Sequence, residues 1–486
     1  MENELKNFRI DKTKKNSFLI SKKILQKIIF FCEGNTSKIL NDNFSKIFEI
    51  PKYALENKYK KLLYNQFNYN LSKFNQTLHF KNIFNELLKS FYLLILIFFS
   101  KKNRKILNFD FIIHGIDDQR SFNRYEKLIN KFNKSLVMSN VALKKKSNIT
   151  IFNNSKFQRI SSNSTKKKKI KIFKLFFKIL FRSFYYRFNY IFFFNRILYS
   201  ILNNYTLFEK FRGKYFMEDR FYNTCSIRNY FFKKFGGKAT STPQKNIVET
   251  CISFFIDTDI FFSLGNEKYS LKRLKFFGGR IKKSLPVGSF FLEHDWFRKK
   301  KDLKLVPNND ILIMGLNPNT WLEINNTNKK NYEFTIRNWI KKIGILYPNL
   351  KIMIKHHGNL KNNEYEKKFF QKNKNITSAI ANFTKNGSYG FIKKGKIIFS
   401  FGSTTTLEAI SMQKQSFFLD PKLESKNFFD GLINLNKIRI RSFASFKRLL
   451  DKVLFLKEYT QFNKDIYCLK SDSVSSRVYN FYKQIK

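Results

Sequence analysis

The chain has 486 residues and a formal net charge of +58, from 93 Lys and Arg against 35 Asp and Glu. This length allows two or three domains with a sizeable core. Four widely separated cysteines argue against a disulfide framework and favour a reducing compartment. The charge favours an anionic partner, either nucleic acid or an anionic membrane face. The competing explanation is a genome rich in A and T, because Lys, Asn, Ile and Phe can all be written with A- and T-rich codons.

The beginning of the chain is polar and mixed in charge, which predicts no signal peptide. The longest uninterrupted apolar run, 91–99, is about half of the ~20 residues that cross a bilayer. It therefore predicts a buried helix or strand and not an anchor.

A strand predicted at 108–113 ends at His114, and a polar turn with Asp117 and Asp118 follows. An imidazole at that point could face a cleft and act as a base near neutral pH. The two carboxylates are alternatives to it, and a polar loop without a role is the competing explanation for all three. Further strands are predicted at 136–138 and 260–264.

The segment 148–165 is rich in Ser and Asn and predicts a surface loop, which a lysine run and a basic aromatic stretch follow to about residue 203. Within 171–184 the basic and the apolar residues each recur at helical spacing. That pattern is typical of a helix that lies in a membrane interface. A helix packed on the sheet is the alternative. Interleaved aromatic and basic residues also bind nucleic acid, but no recognised RNA or DNA signature accompanies them.

The C-terminal half alternates strands with helices. Strands are predicted at 310–315, 351–356, 376–380, 397–401 and 417–419, and helices at 333–344, 364–371, 388–394 and 406–412. Because the strands are almost continuously apolar, the pattern predicts a parallel sheet covered on both faces. Such sheets bind ligands outside the carboxyl ends of their strands.

The turn between the strand 397–401 and the next helix concentrates donors for an anion. It consists of Gly402, Ser403, Thr404 and Thr405. Amide N–H groups and hydroxyls of 403–406 would hold a diphosphate, and Glu408 would reach a ribose hydroxyl. A capping box of Thr405 and Glu408 is the alternative. The capping box does not explain the two hydroxyls of Ser403 and Thr404, which precede the cap. Nor does it explain Gly402, which permits close approach of a ligand to the backbone.

The strand 351–356 ends in Lys355-His356-His357-Gly358. Two histidines beside a lysine at the ligand-binding edge favour anion binding or proton transfer over a structural role. Their adjacency argues against a shared zinc site, since successive strand residues point to opposite faces.

The segment 386–409, NGSYGFIKKGKIIFSFGSTTTLEA, resembles a motif of bacterial surface-carbohydrate and capsule polysaccharide biosynthesis proteins of the GT-B fold. The matching residues are Ser388-Tyr389, the turn 402–405, and Glu408-Ala409. The family carries an RPHP-like strand end upstream, and here His357 stands on its histidine and Lys355 on its arginine. His356 and Gly358 replace the flanking prolines.

The resemblance implies an α/β fold of the GT-B kind, with two Rossmann-like doubly wound parallel-sheet domains facing a cleft. The expected N-terminal domain is an acceptor domain at 1–290, which contains the basic aromatic insertion at about 148–205. The expected C-terminal domain is a nucleotide-donor domain at 291–486. Lys355, His357 and Glu408 would bind the donor together with the turn 402–405, and His114 is the first choice for the base.

The implied activity is that of a glycosyltransferase that needs no metal or other cofactor. It would move a sugar from a nucleotide sugar to a lipid-linked acceptor in surface polysaccharide biosynthesis. The expected location is the cytoplasm, at the inner face of the cytoplasmic membrane. The alternatives are a CDP-alcohol-type glycerophosphotransferase or a sugar epimerase on a related fold, and a basic nucleic-acid-binding protein; nucleic acid is not the expected partner.

Overall fold

The structure is a computed structural model. It describes residues 31–69, 80–99, 106–144, 149–153, 165–220, 224–241, 255–266, 279–297, 308–315, 332–356, 364–380, 387–401, 403–421, 435–462 and 467–484.

Seven parallel strands of the described chain form the first sheet, in the order β3-β2-β1-β4-β5-β6-β7. They are β1 Leu107–Ile116, β2 Ser135–Ser139, β3 Ile149–Asn153, β4 Phe211–Glu218, β5 Lys238–Ser241, β6 Asp257–Ser263 and β7 Arg280–Pro286. The first six strands follow the Rossmann order, in which the direction of winding reverses between β1 and β4.

The second sheet is also parallel and has the order β10-β9-β8-β11-β12-β13. Its strands are β8 Asn309–Met314, β9 Ile352–His356, β10 Ile376–Ile380, β11 Gly395–Ser400, β12 Gln415–Leu419 and β13 Arg439–Ile440. This is the Rossmann order again, and its winding reverses between β8 and β11.

The described helices are α1 Asn35–Phe48, α2 Lys52–Tyr69, α3 Ile83–Phe99, α4 Gln119–Ile129, α5 Lys166–Tyr185, α6 Ile191–Lys210, α7 Ser226–Lys234, α8 Phe290–Leu292, α9 Tyr332–Leu346, α10 Glu364–Phe369, α11 Gly387–Lys394, α12 Thr405–Ser411, α13 Leu435–Ile438, α14 Phe443–Leu450 and α15 Val474–Gln484. A 3₁₀ turn at Phe80–Asn82 precedes α3, and π-helical turns at Glu293–Phe297 and Asp451–Phe455 follow α8 and α14.

Both sheets are buried on two faces, because the side chains of each strand alternate between two apolar layers. In β1, Ile112 belongs to the core that it shares with α1–α3 and α5–α7, whereas Phe111 and Ile113 belong to the core shared with α4 and α15. In β8, Ile313 packs with α9 and α14, and Leu312 packs with α11 and α12. The predicted fold class, two Rossmann-like parallel-sheet domains of the GT-B kind, is confirmed.

The strands and helices predicted between residues 310 and 419 are all present. Two predictions for the N-terminal half are wrong. The segment 148–165 is not a loop throughout, because 149–153 pair with β2 as the edge strand β3. The run 91–99 is helical, as one of the two predicted alternatives has it, but the prediction that it is buried is wrong, because α3 buries one side and exposes an apolar other side.

The chain passes between the two sheets twice, and the two passages lie side by side. The N–H of Ser289 donates to Oγ of Ser471 at 2.9 Å, and Arg477 donates to the carbonyl of Val287. After the second passage α15 packs on the first sheet. The domain limits 1–290 and 291–486 stay a prediction, although α15 returns to the first sheet from within the second range.

Tyr482 fixes α15 to the first sheet. Its ring is fully buried against Phe111, Tyr215 and Phe262, and its hydroxyl lies 2.6 Å from Oγ1 of Thr240. The last helix is therefore part of the first hydrophobic core.

We expect Tyr482→Ala to lower the free energy of unfolding of this core by about 3–5 kcal/mol, since a large buried ring leaves a cavity. Urea unfolding followed by near-UV circular dichroism measures the change. The control Tyr459→Ala removes an exposed ring and should shift the free energy by no more than about 0.5 kcal/mol. Equal effects of the two substitutions would contradict the docking of α15.

Candidate active site

The carboxyl ends of the two sheets face each other. Leu264, which follows β6, packs with Leu407 of α12 in the second unit. Arg120, at the start of α4, binds Asp295 in the linking segment at 3.1 Å, and its positive charge acts on Lys355 at the end of β9. Because ligands of parallel sheets bind at this edge, the interface between the units is the candidate site.

His114 lies at the carboxyl end of β1 and contacts two charged side chains. Its Nδ1 is 2.9 Å from Oε2 of Glu218, and Nη1 of Arg228 lies 2.9 Å from its Nε2. Nε of Arg228 also binds Glu218 at 2.7 Å. Burial, followed by the positive charge of Arg228, lowers the pKa of His114 below its ordinary value. The imidazole is therefore neutral near neutral pH and able to take up a proton.

The two predicted alternatives to His114 lie in different surroundings. Asp117 pairs with Arg220 at 3.1 Å on the rim of the interface. Asp118 is the N-cap of α4, and its Oδ1 accepts the N–H of Ser121 at 2.5 Å. Burial works against ionisation of Asp118, but the hydrogen bonds from Ser121 and nearby arginines bring its pKa below the ordinary value. Helix capping explains Asp118 without a catalytic role.

Lys355 faces the interface. Its Nζ donates to Oγ of Ser388 at 3.0 Å. Burial, and next the positive charge of Arg120, lower the pKa of Lys355 to about 8. Both causes disfavour the charged amine, so an anion that enters between Lys355 and Arg120 would gain more from the pair than from an isolated exposed lysine.

His356 points the other way, as alternation along a strand requires. Its Nε2 lies 2.6 Å from Oε1 of Glu366, which also pairs with Arg337 at 3.2 Å, and all three side chains are buried. The expectation that His356 takes part in the anion site is wrong, because it belongs to a network behind the sheet. His357 and Gly358 lie outside the described residues.

The turn before α12 differs from the predicted capping box. α12 begins at Thr405, and the N-cap Thr404 has helical backbone angles and makes no side-chain cap. Oγ of Ser403 accepts the N–H of Thr405 at 3.3 Å and lies 2.8 Å from the hydroxyl of Thr405. The N–H of Thr406 donates to the carbonyl of Ser403. These amides are paired within the turn, so a ligand meets the part-exposed hydroxyls first. Gly402 lies outside the described residues.

One glycine allows the close approach of β8 and β11 at the point where the winding reverses. Gly315 has φ +85°, and a Cβ there would lie 2.4 Å from the carbonyl oxygen of Phe401. A side chain would separate the two strand ends, which form the floor beneath the turn 403–405.

Glu408 is buried between the two units rather than bound to its own helix terminus. Oγ of Ser289 donates to its Oε1 at 2.5 Å, and Tyr389 forms a second side-chain hydrogen bond with it. Burial raises the pKa of Glu408 to about 7, against the effect of these hydrogen bonds. Its predicted contact with a ribose stays a prediction.

Several interface residues were not predicted as site residues. Glu218 and Arg228 hold His114. Arg120 and Arg124 lie one turn apart on α4; both pair with Asp295, and the guanidinium of Arg124 also lies 3.6 Å from the ring centroid of Phe291. The i, i+4 spacing of two arginines just after a strand end was the signal in the sequence.

Three solved structures that resemble this chain cover most of its length. MnaA of S. aureus, solved with UDP, is 11% identical with a TM-score of 0.43, covering 77% of this chain and 96% of its own. UDP-GlcNAc 2-epimerase of Neisseria meningitidis, bound to UDP-GlcNAc, is 11% identical with a TM-score of 0.45, covering 78% and 100%. MurG of Acinetobacter baumannii is 9% identical with a TM-score of 0.38, covering 77% and 100%.

No protein-family model matches the chain, and no curated protein matches it. At these identities the resemblance to solved structures concerns the fold alone. The fold itself is defined by the strand order of the two sheets.

The interface combines a neutral imidazole, several cationic side chains and a turn with part-exposed hydroxyl groups. Cations and hydroxyls suit an anionic ligand such as a diphosphate, and the imidazole suits proton transfer. Among the described residues, no group of three or more His, Cys, Asp or Glu is placed to hold a metal ion.

A cavity of about 800 Å³ opens at the opposite, amino end of the second sheet. Asp310, Lys396, Gln415 and Phe455 are among its lining residues. Because the strands of the second sheet point away from it, this cavity is separate from the candidate site.

The buried Glu408 should make stability depend on pH. With the pKa raised from 4.5 to about 7, the folded carboxyl keeps a proton that the unfolded chain releases. Its contribution is fully present below pH 4.5 and is lost as the pH rises through about 7, a change of about 3 kcal/mol. We expect Glu408→Gln to remove this loss, as measured by urea unfolding from pH 4.5 to 8. The exposed Glu458→Gln is the control, and parallel profiles of wild type and Glu408→Gln would contradict the burial of a titrating carboxyl.

Proposed function

We propose that the chain is a glycosyltransferase that uses a nucleotide sugar as donor. The observation that carries this proposal is the meeting of two Rossmann-ordered sheets at their carboxyl ends, where a candidate base from one unit faces a cationic, hydroxyl-rich edge of the other. The motif resemblance at 386–409 supports the same activity. The expected acceptor is lipid-linked, in surface polysaccharide biosynthesis on the cytoplasmic face of the membrane.

The donor diphosphate would lie against the second sheet. Lys355 and Arg120 provide positive charge from two sides, and Ser403 and Thr405 provide hydroxyl donors at the switch point. As the bond between the anomeric carbon and the diphosphate oxygen breaks, the electron pair goes to that oxygen. Protein donors preorganised at the oxygen stabilise the charge that develops on it.

The acceptor hydroxyl would approach from the side of the first sheet. Its oxygen forms the new bond to the anomeric carbon, and its proton passes to His114. Glu218 lies at Nδ1 of His114, so Nε2 is the nitrogen that would take the proton. Arg228 lies 2.9 Å from Nε2, so it must move aside before the acceptor binds. The resulting imidazolium would be stabilised by the buried carboxylate of Glu218.

Thermal shift against UDP-, GDP-, CDP- and CMP-linked sugars tests donor binding. At about a hundred times the dissociation constant, a donor adds about 2.7 kcal/mol and raises Tm by several degrees. Lys355→Met should weaken donor affinity about tenfold or more, because a charge-assisted hydrogen bond is lost. Lys414→Met, at the amino edge of the same sheet, is the control. No stabilisation by any compound in a folded protein would refute the proposal.

His114→Gln tests the base. We expect the transfer rate to fall about 10²- to 10⁴-fold with donor affinity unchanged. Product analysis with a CDP-glycerol donor separates sugar transfer from glycerophosphate transfer. A variant with the wild-type rate would assign the base elsewhere, with Asp117 as the next candidate to test.

A further inference from the structure

Helix α3 is apolar on nearly all sides. Its inner side packs into the first core through Ile83, Leu93, Leu94 and Ile97. Its outer side exposes Phe84, Leu88, Phe91, Tyr92, Ile95, Phe98 and Phe99. Phe84 is 66% exposed and Phe99 is 81% exposed. A helix on the surface of a globular protein normally presents polar residues outward, so this face calls for an apolar environment.

Helix α5 exposes a second apolar face. Each of its members lies three or four residues from another member, as one side of a helix requires. They are Ile170, Phe173, Phe177, Phe181, Phe184 and Tyr185. The amphipathic helix predicted over 171–184 lies within α5, and several of its aromatic rings are exposed.

The two helices lie side by side and antiparallel. The ring of Phe80, just before α3, lies 5.2 Å from that of Phe184 near the end of α5. Midway, Phe91 and Phe176 are 5.8 Å apart. At the other end, Nζ of Lys169 donates to the carbonyl of Phe98 at 2.9 Å. The two exposed faces therefore form one surface, which we call the paired-helix face.

Lysines follow the aromatic residues of α5 along its exposed side. Those that are exposed are Lys166, Lys167, Lys171, Lys174 and Lys178. Long lysine stems can lie along apolar surface while their amines reach anionic groups at its edge. Each lysine near an anionic membrane surface contributes about 1 kcal/mol.

A buried polar group fixes the rotation of α3. Asn195 of α6 donates to Oε2 of Glu86 at 2.9 Å and accepts from Ser90 at 2.7 Å. By length and composition alone, Phe80–Phe99 could cross a bilayer. Crossing would place Glu86 in hydrocarbon and break this network, which is costly. An orientation parallel to the membrane keeps the network and immerses only the outer side.

We propose that the paired-helix face docks the protein in the headgroup region of an anionic bilayer, with α3 and α5 in the membrane plane. Charge favours this occupant over a second copy of the chain. In a symmetric dimer the lysines of α5 would meet their own copies, in a chain that already carries a formal charge of +58. The paired-helix face contains none of the candidate active-site residues, so its test is independent of the proposed activity.

Flotation with lipid vesicles tests the proposal. The full chain is mixed with vesicles of phosphatidylcholine alone, or with about 30 mol% phosphatidylglycerol. We expect binding to the anionic vesicles to be much stronger than to the neutral ones. The binding should fall between about 0.1 M and about 0.5 M NaCl, because salt screens the lysines.

Two sets of variants separate the apolar from the ionic contribution. Phe99→Ser with Phe181→Ser should lower the partition coefficient on the order of tenfold. Lys171→Glu, Lys174→Glu and Lys178→Glu together should lower it on the order of a hundredfold on anionic vesicles. The matched controls are Ile345→Ser with Leu456→Ser, which are 64% and 63% exposed, and Lys372→Glu, Lys374→Glu and Lys437→Glu on the second unit. Thermal melts confirm that each variant folds.

The proposal is overturned if wild-type protein does not bind anionic vesicles. It is also overturned if both control sets reduce vesicle binding as much as the substitutions on the paired-helix face. Sedimentation velocity covers the other occupant. The face would be assigned to a second copy by two results together: wild-type protein forms a dimer that the double variant Phe99→Ser with Phe181→Ser dissociates, and wild-type protein does not bind vesicles. Selective loss of vesicle binding in the face variants supports membrane docking.

Discussion

The placement of the two sheets depends on a buried hydrogen-bonded group between them. Glu408 from the helix after β11 accepts from Ser289 of the linking segment and bonds to Tyr389 of α11. Apolar contacts around it, such as that of Leu264 with Leu407, are non-directional and do not specify an orientation. The directional bonds of Glu408 do, and they hold the carboxyl edges opposite each other at the cost of burying an ionisable group.

That arrangement gathers positive charge where the sheets meet. Arg120 comes from the first unit and Lys355 from the second, and each lies at an element terminus fixed by apolar strands behind it. Burial, and next the positive charge of Arg120, lower the pKa of Lys355 to about 8, so the charged amine carries a cost in this position. An anion between the two units would offset the cost, so ligand binding and domain approach are coupled through the same charges.

The sequence predicted the parallel sheets because strands such as β8 and β11 are continuously apolar and regularly spaced. It also located His114 and Lys355 at strand ends. It missed Glu218 and Arg228, since their roles come from the pairing of β4 with β1, which no local pattern encodes. It misassigned His356, whose direction depends on strand register, and α3, whose composition fits a core helix although neighbours cover only one side.

The two covalent passages between the units are bonded to each other through Ser289 and Ser471, with Gly288 at φ +93° beside them. Tethers at distant points would lock two bodies rigidly, whereas adjacent tethers leave a single swivel axis. Any relative movement of the two units would therefore be a rotation about an axis near Gly288. The side of the interface farthest from that axis would then open the most to a ligand.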